Sequence, residues 1–261
     1  LRLSALGDVC HVLPVVRTLQ DAWPGTEITW ILGKLEHKLL GHLPGIDFVT
    51  FDKKAGIDGY RALRRQLAGR RYDALLHMQL AIRASIAAAT VPAGVKIGFD
   101  RARARELQWL FTTHRIAARS REHVLDSLFG FAERLGVRQR SMRWDIPLPP
   151  AALEYAARAI PDQQPTLVVS PCSSHELRNW SADGYAAVAD HAAARHGMRV
   201  LICGGRSDLE LAVGSRIERL MRQPCVNLVG KDTLLEMLAT LQRATVLLSP
   251  DSGPAHMATT V

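Results

Sequence analysis

The sequence predicts an α/β protein made of two doubly wound domains. Three observations predict it. Short, apolar, β-branched runs alternate with helical patterns along the chain, a proline-rich break falls near residue 150, and a second strand–helix series starts afresh after it. Runs of that kind suit strands buried on both faces, and their alternation with helices calls for parallel sheets covered on both sides.

Taken in order, Leu1-Arg2-Leu3 reads as the tail of a strand. Val9–Trp23 then places apolar residues at Val12, Val15, Val16, Leu19 and Trp23, a helical stripe. Strands follow at Glu27–Leu32, Ile46–Phe51 and Tyr72–Met78. The break is Pro147-Leu148-Pro149-Pro150, then a helix over Ala151–Ala159, then Pro161 to Pro165. Proline lacks a donor and has a fixed φ, which suits linkers better than either regular element. The first domain is therefore residues 1–150 and the second 151–261. The second has strands at Thr166–Ser170, Arg199–Cys203, Val226–Val229 and Thr245–Ser249, with helices at Ala182–Arg195, Leu209–Met221 and Leu234–Leu241. Met257 to Val261 reads as a young helix, so the chain is expected to lack an initial strand and a final helical segment. Two such domains predict a cleft facing the carboxyl ends of both sheets, where ligands usually sit.

Charge separates the halves. The chain has 33 Lys and Arg against 25 Asp and Glu, a net +8. Residues 1–150 hold 23 and 14 of these, and residues 151–261 hold 10 and 11, so the excess belongs to the first domain. A hydrophobic fraction of 48% with 22% charged residues excludes disordered and collagen-like classes. No apolar run reaches membrane-spanning length. The four cysteines, Cys10, Cys172, Cys203 and Cys225, have no metal-ligand spacing and read as reduced thiols. Neither a metal nor a cofactor is expected.

Five stretches could carry chemistry. Ser4-Ala5-Leu6-Gly7-Asp8 turns from strand to helix, and Asp8 is either a helix cap or a catalytic carboxylate. There is no G-x-G-x-x-G, so a dinucleotide fingerprint is unsupported. Ser173-Ser174 with Arg178 follows the first strand of the second domain; hydroxyls, backbone amides and a guanidinium suit a phosphate, while Ser181 looks like the next helix cap. Asp251-Ser252-Gly253 with His256 follows the last strand and suits a nucleotide sugar, with a capped helix start as the plain alternative. Gly204-Gly205-Arg206-Ser207-Asp208 is a tight turn or a close approach to a nucleoside. Finally, arginines gather at 61, 64, 65, 70 and 71, at 101, 103 and 105, and at 115, 119 and 121. Most charge runs are solvated surface, yet Arg in these numbers suits a polyanionic partner. Aromatic residues make up only 6% and are not interleaved with the arginines, which weakens single-strand nucleic-acid stacking.

Together these stretches resemble glycosyltransferase family 9, the lipopolysaccharide heptosyltransferases. The residues that carry the resemblance are RLSALGDVCHVLPVVRTLQ, KIGFDRARARELQWLF, EHVLDSLFGFAERLG, SSHELRNWSADGYAAVA and SPDSGPAHMA. The SSHELRNW loop looks more like the type I enzymes. The resemblance implies a GT-B fold, with two Rossmann-like domains and the active site between them. It also implies an inverting, metal-independent transfer of heptose from ADP-heptose to Kdo-lipid A, at the inner face of the inner membrane. That places the protein in the cytoplasm, in peripheral contact with an anionic membrane surface, with no nucleic-acid partner. By motif, Asp8 matches the catalytic base, and Ser173, Ser174, Arg178, Asp208, Asp251, Ser252, Gly253 and His256 match donor-binding positions. Arg61, Arg64, Arg65, Arg101 and Arg121 are assigned to the anionic acceptor. Two departures stand out: Arg178 where Lys is frequent, and Ser207 where an acid often meets the ribose. A nucleotide-sugar epimerase on the same fold and a basic nucleic-acid-binding protein are the alternatives.

Overall fold

The computed structural model describes residues 1–261, in two units: Leu1–Ile146 and Pro147–Val261. In chain order the first unit runs α1 (Leu6–Ala22), β1 (Ile28–Gly33), α2 (Lys34–Leu40), β2 (Ile46–Phe51), α3 (Gly56–Gln66) and β3 (Tyr72–Leu76). It continues through α4 (Ile82–Ala89), β4 (Ala93–Gly98), the two-residue β5 (His114–Arg115) and α5 (Val124–Arg134). All pairings are parallel: β1 with β2, β3 with β4, and β4 with β5.

Leu1–Leu3 joins these pieces. Arg2 N donates to Ile31 O at 3.1 Å and Gly33 N to Leu3 O at 2.9 Å on one side. On the other, Leu1 N donates to Leu76 O at 2.7 Å and Met78 N to Leu1 O at 3.1 Å. The spatial order is thus β2, β1, residues 1–3, β3, β4, β5. Gly33 is required at this seam, because a Cβ there would lie 2.6 Å from the Leu3 carbonyl oxygen. The chain first builds outward through β1 and β2, then crosses back to start β3. Strand order therefore reverses between residues 1–3 and β3, and a crevice opens there at the carboxyl edge. One face of the sheet packs Leu3, Ile31, Val49, Phe51 and Leu75 against Leu63 of α3 and Ala84, Ala87 and Ala88 of α4. α1 and α5 pack on each other.

Just beyond β3, His77 is fully buried, with Nε2 3.0 Å from Ser85 Oγ. Burial pushes its pKa down to about 3 from an ordinary 6.5, with nearby positive charge adding to the effect. Between those values the unfolded chain takes up a proton that the folded chain refuses, so stability falls as pH drops from about 6.5 toward 3. The slope approaches ~1.4 kcal/mol per pH unit at most. His77→Gln is expected to flatten the fall in urea-unfolding free energy below pH 6. Equal slopes in the two proteins would refute the assignment.

The second unit runs α6 (Pro150–Ala159), β6 (Thr166–Val169), α7 (Ala182–His196), β7 (Arg199–Ile202), α8 (Asp208–Leu220) and β8 (Val226–Asn227). It ends with α9 (Leu234–Arg243), β9 (Val246–Leu248) and α10 (Gly253–Ala258). Its parallel sheet has the order β8-β7-β6-β9. The chain steps outward from β6 to β8 and then returns to the far side of β6, so order reverses between β6 and β9. Tyr185, Ala189 and Ile217 of α7 and α8 pack on Leu167, Val169, Val200 and Ile202. α6 and α9 pack on each other. The starts of α7, α8 and α9 are capped by Ser181, Ser207 and Thr233, each accepting a backbone amide from the first turn.

All four cysteines are free. Burial pushes the Cys10 thiol up to about 12 and that of Cys172 up to about 11, so both stay protonated at neutral pH. No helix is long and apolar enough to cross a membrane.

Candidate active site

In the second unit, the loops after β6 and β9 meet beside the reversal of strand order. Arg178 lies in a short 3-10 turn, Glu176–Arg178. It donates from Nη1 to Asp251 Oδ2 at 3.2 Å. The other oxygen of Asp251 lies 3.2 Å from His256 Nε2. Arg178, Asp251 and His256 thus form one exposed cluster, with the carboxylate bridging a guanidinium and an imidazole. Ser252 is the N-cap of α10, its hydroxyl 2.7 Å from that of Ser249, and Gly253 is the first helical residue.

The β6 loop is braced from within. Ser173 N donates to Asn179 Oδ1 at 2.7 Å, and the Ser173 hydroxyl donates to His175 O and accepts from His175 N. Ser173 is consequently buried, whereas Ser174 is exposed on the same turn. At the far end of the loop, Trp180 packs edge-on against Tyr185. Its ring fills the space beside Gly184, where a Cβ would come within 2.5 Å of it. A loop fixed at both ends sets Arg178 over the sheet edge.

Asp208 does not join this cluster. It is the first residue of α8, exposed and without an ion pair. The carboxylate over the glycine pair belongs to Glu210, whose Oε1 accepts Gly205 N at 2.7 Å and whose Oε2 accepts the Ser207 hydroxyl at 2.6 Å. Glu210 lies one helical turn past the loop, and sequence reasoning missed it because its signal is the Ser-x-x-Glu capping box. Asp232, after β8, was missed as well. Burial pushes its carboxyl up to about 7, with Glu236 and Glu210 adding and Arg206 opposing.

In the first unit, Asp8 is the third residue of α1, past the N-cap residue Ala5. Its Oδ2 accepts Ala5 N at 2.9 Å and pairs with Arg2 Nη2 at 2.5 Å. Arg2 is itself anchored, donating to Ser4 O at 2.9 Å and to Met78 O. Both readings of Asp8 are therefore compatible with its geometry: it closes the first turn of α1 while a third of its side chain stays accessible. Beside it, Gln79 accepts Leu3 N at 2.7 Å and donates to Ser4 Oγ. The fully buried Gln108 donates to His77 O and Gln79 O and accepts Phe99 N. Arg2 and Gln108 lie within the stretches that carry the resemblance but without a readable role, and Gln79 lies outside them, because their contacts reach segments 29 to 76 positions away.

The assigned arginines split into two groups. Arg61, Arg64 and Arg65 line a groove with Arg70, Arg71 and the starts of β3 and β4. That groove is at the amino edge of the sheet, opposite Asp8. Arg101 follows β4 and Arg121 follows β5, so both belong to the carboxyl edge that carries Asp8. Arg101 stacks on the Trp109 ring at 5.0 Å. Arg103 is consumed internally by Asp100, Glu122 and Ser127.

The model of glycosyltransferase family 9 (heptosyltransferase) matches residues 60–261. The chain is 42% identical to the lipopolysaccharide core heptosyltransferase OpsX of Haemophilus influenzae, over 100% of this chain and 75% of that protein. Among solved structures, a glycosyltransferase family 9 protein from Veillonella parvula aligns with a TM-score of 0.84 at 24% identity, covering 99% of this chain and 76% of that one. The Escherichia coli heptosyltransferase WaaC with ADP-2-deoxy-2-fluoro heptose aligns at 0.79 and 22% identity, covering 100% and 86%. These likenesses select the transferase over the epimerase and nucleic-acid-binding alternatives. The chain is an α/β protein of the GT-B class and belongs to glycosyltransferase family 9, the heptosyltransferases.

Proposed function

We propose that this enzyme moves L-glycero-D-manno-heptose from ADP-heptose onto the Kdo-lipid A inner core during lipopolysaccharide assembly, with inversion and without a metal ion. The observation that carries the reading is the Arg178–Asp251–His256 cluster at the strand-order reversal of the second unit. Arg178 would release Asp251 and take the donor diphosphate in its planar fork, helped by Ser174, Ser252 and the Gly253 backbone, while Ser173, its hydroxyl and amide already taken up within the loop, holds that loop in shape rather than meeting the phosphates. Asp251, held by His256, would accept a sugar hydroxyl. Glu210 accepts Gly205 N at the Gly204–Gly205 turn, and Asp232, its carboxyl pushed up by burial, lies near Glu210 and Arg206, which suits the nucleoside end; Asp208 is not needed there.

Asp8 would take the proton of the acceptor hydroxyl as its oxygen attacks the anomeric carbon. The bond to the diphosphate breaks on the opposite side of that carbon, and its electron pair leaves with ADP. Positive charge at Arg178 offsets what develops on the leaving group. Arg101 and Arg121 suit the anionic acceptor at the Asp8 edge; Arg61, Arg64 and Arg65 stand too far around the sheet to share that task.

ADP-heptose with Kdo-lipid A is expected to yield ADP at a rate unaffected by EDTA. Turnover with UDP-sugars only, or loss of turnover in EDTA, would overturn the donor or the metal-free assignment.

A further inference from the structure

Helix α1 runs unbroken from Leu6 to Ala22, yet it contains Pro14. Proline has no backbone N–H, and its ring crowds the carbonyl four residues back. In α1 that carbonyl is Cys10 O, two residues beyond Asp8. Cys10 is fully buried, so a carbonyl left there without a donor would be costly.

The missing donor comes from a segment 134 positions away: Trp144 Nε1 donates to Cys10 O at 2.8 Å. Trp144 belongs to the last stretch of the first unit, which ends at Ile146. The same stretch grips α1 beyond the proline. Arg17, only 5% exposed, donates from Nε and Nη2 to Trp144 O, both at 3.3 Å, and from Nη2 to Asp145 O at 3.0 Å. Thr18 Oγ accepts Ser141 N at 2.8 Å, and Arg143 pairs with Asp21. Asp145 sits at φ +47°, in the left-handed region, and this turn brings two successive carbonyls onto one guanidinium. Residues 141–145 thus clasp α1 on both sides of Pro14. The Trp144 indole holds the carbonyl before the proline, and the Trp144 carbonyl is held by the arginine after it. A proline inside a helix is where its two halves can bend against each other. The half before Pro14 carries Asp8, and Trp144 ties that half to the half anchored through Arg17.

We propose that Trp144 is a positioning residue for Asp8: its indole N–H replaces the backbone donor that Pro14 removes from α1, and so fixes the turn that carries the base. The proposal rests on the reading of Asp8 as the base of heptose transfer.

The test is a double-mutant cycle of Trp144→Phe and Pro14→Ala in the whole chain, read as transfer from ADP-heptose to Kdo-lipid A. Phe keeps an aromatic ring and removes the N–H, whereas Ala returns a backbone donor to Cys10 O. With Pro14 in place, Trp144→Phe is expected to lower kcat by roughly 10- to 100-fold, the scale of a displacement of about 1 Å at a catalytic group. The KM for each substrate should stay within about twofold, because what is lost acts in the transition state. In the Pro14→Ala background the same change should have little effect, since the carbonyl then has its helical donor. All four proteins are assayed well below their thermal midpoints, so that lost stability alone leaves kcat unmoved. An equal loss in both backgrounds, or none with Pro14 in place, would overturn the proposal. Amide exchange at residues 9–13 gives a reading that does not depend on the base: it should quicken in Trp144→Phe and not in the double variant. Unchanged exchange in Trp144→Phe would also overturn the proposal. Wild-type turnover in Asp8→Asn would remove the base, and with it the purpose of the brace, while the exchange coupling stayed; the two failures are therefore told apart.

Discussion

Asp8→Asn is expected to slow heptose transfer by roughly 10²- to 10⁴-fold, the range set by loss of one positioned general base. Asn is the informative replacement because its amide oxygen can still accept Ala5 N, so the first turn of α1 stays closed. What disappears is the negative charge facing Arg2, and with it the basicity that the proposed role of Asp8 requires. The ion pair with Arg2 is partly exposed, and its loss costs about 1 kcal/mol or less. A thermal midpoint within a few degrees of wild type, with ADP release nearly gone, separates the base from the cap. ADP release at the wild-type rate would leave Asp8 as a helix-closing residue only.

Arg178→Ala is expected to cost on the order of 10²- to 10³-fold in kcat/KM, comparable to removing one donor aimed at developing charge. Little stability should go with it. The Arg178–Asp251 pair is more than half exposed on both sides, and such pairs contribute about 0–1 kcal/mol. Arg178→Lys should recover part of the rate, since the charge remains but the two-pronged geometry does not. Calorimetry with ADP checks where the loss lies: weaker ADP binding by the Ala variant is expected, and unchanged ADP affinity with unchanged kcat/KM would exclude Arg178 from the donor site.

Legibility in the sequence followed burial and length. Ile46–Phe51 was readable because it is β-branched, apolar and free of glycine, and β2 has those bounds. The strand Ala93–Gly98 was not, since AGVKIG carries two glycines and a lysine and owes its place to neighbours on both sides. The two-residue β5 has no pattern to read. α4 hid for another reason: IRASIAAA is nearly uniform in small residues, so no stripe marks its buried face. Among site residues, short-range signals were readable, such as Ser181 capping α7 and Asp251-Ser252-Gly253 following a strand. Arg2, Gln79, Gln108 and Asp232 were not, because each acquires its surroundings from parts of the chain far apart in sequence. The charge split at residue 150 likewise said which half was basic but not which arginines share an edge with Asp8.

The far-side return of β9 also has a temporal consequence. Arg178 and Asp251 are 73 positions apart, and β9 can dock on β6 only after every other strand of its sheet has been synthesised. A chain growing from its amino end would thus bury β6, β7 and β8 first and leave one flank of β6 open until residue 248 arrives. Closing so long a loop is slow and leaves an unpaired strand edge in the meantime. The Arg178–Asp251 pair is therefore among the last features of this sheet to form, and a nascent chain stopped short of β9 would lack it.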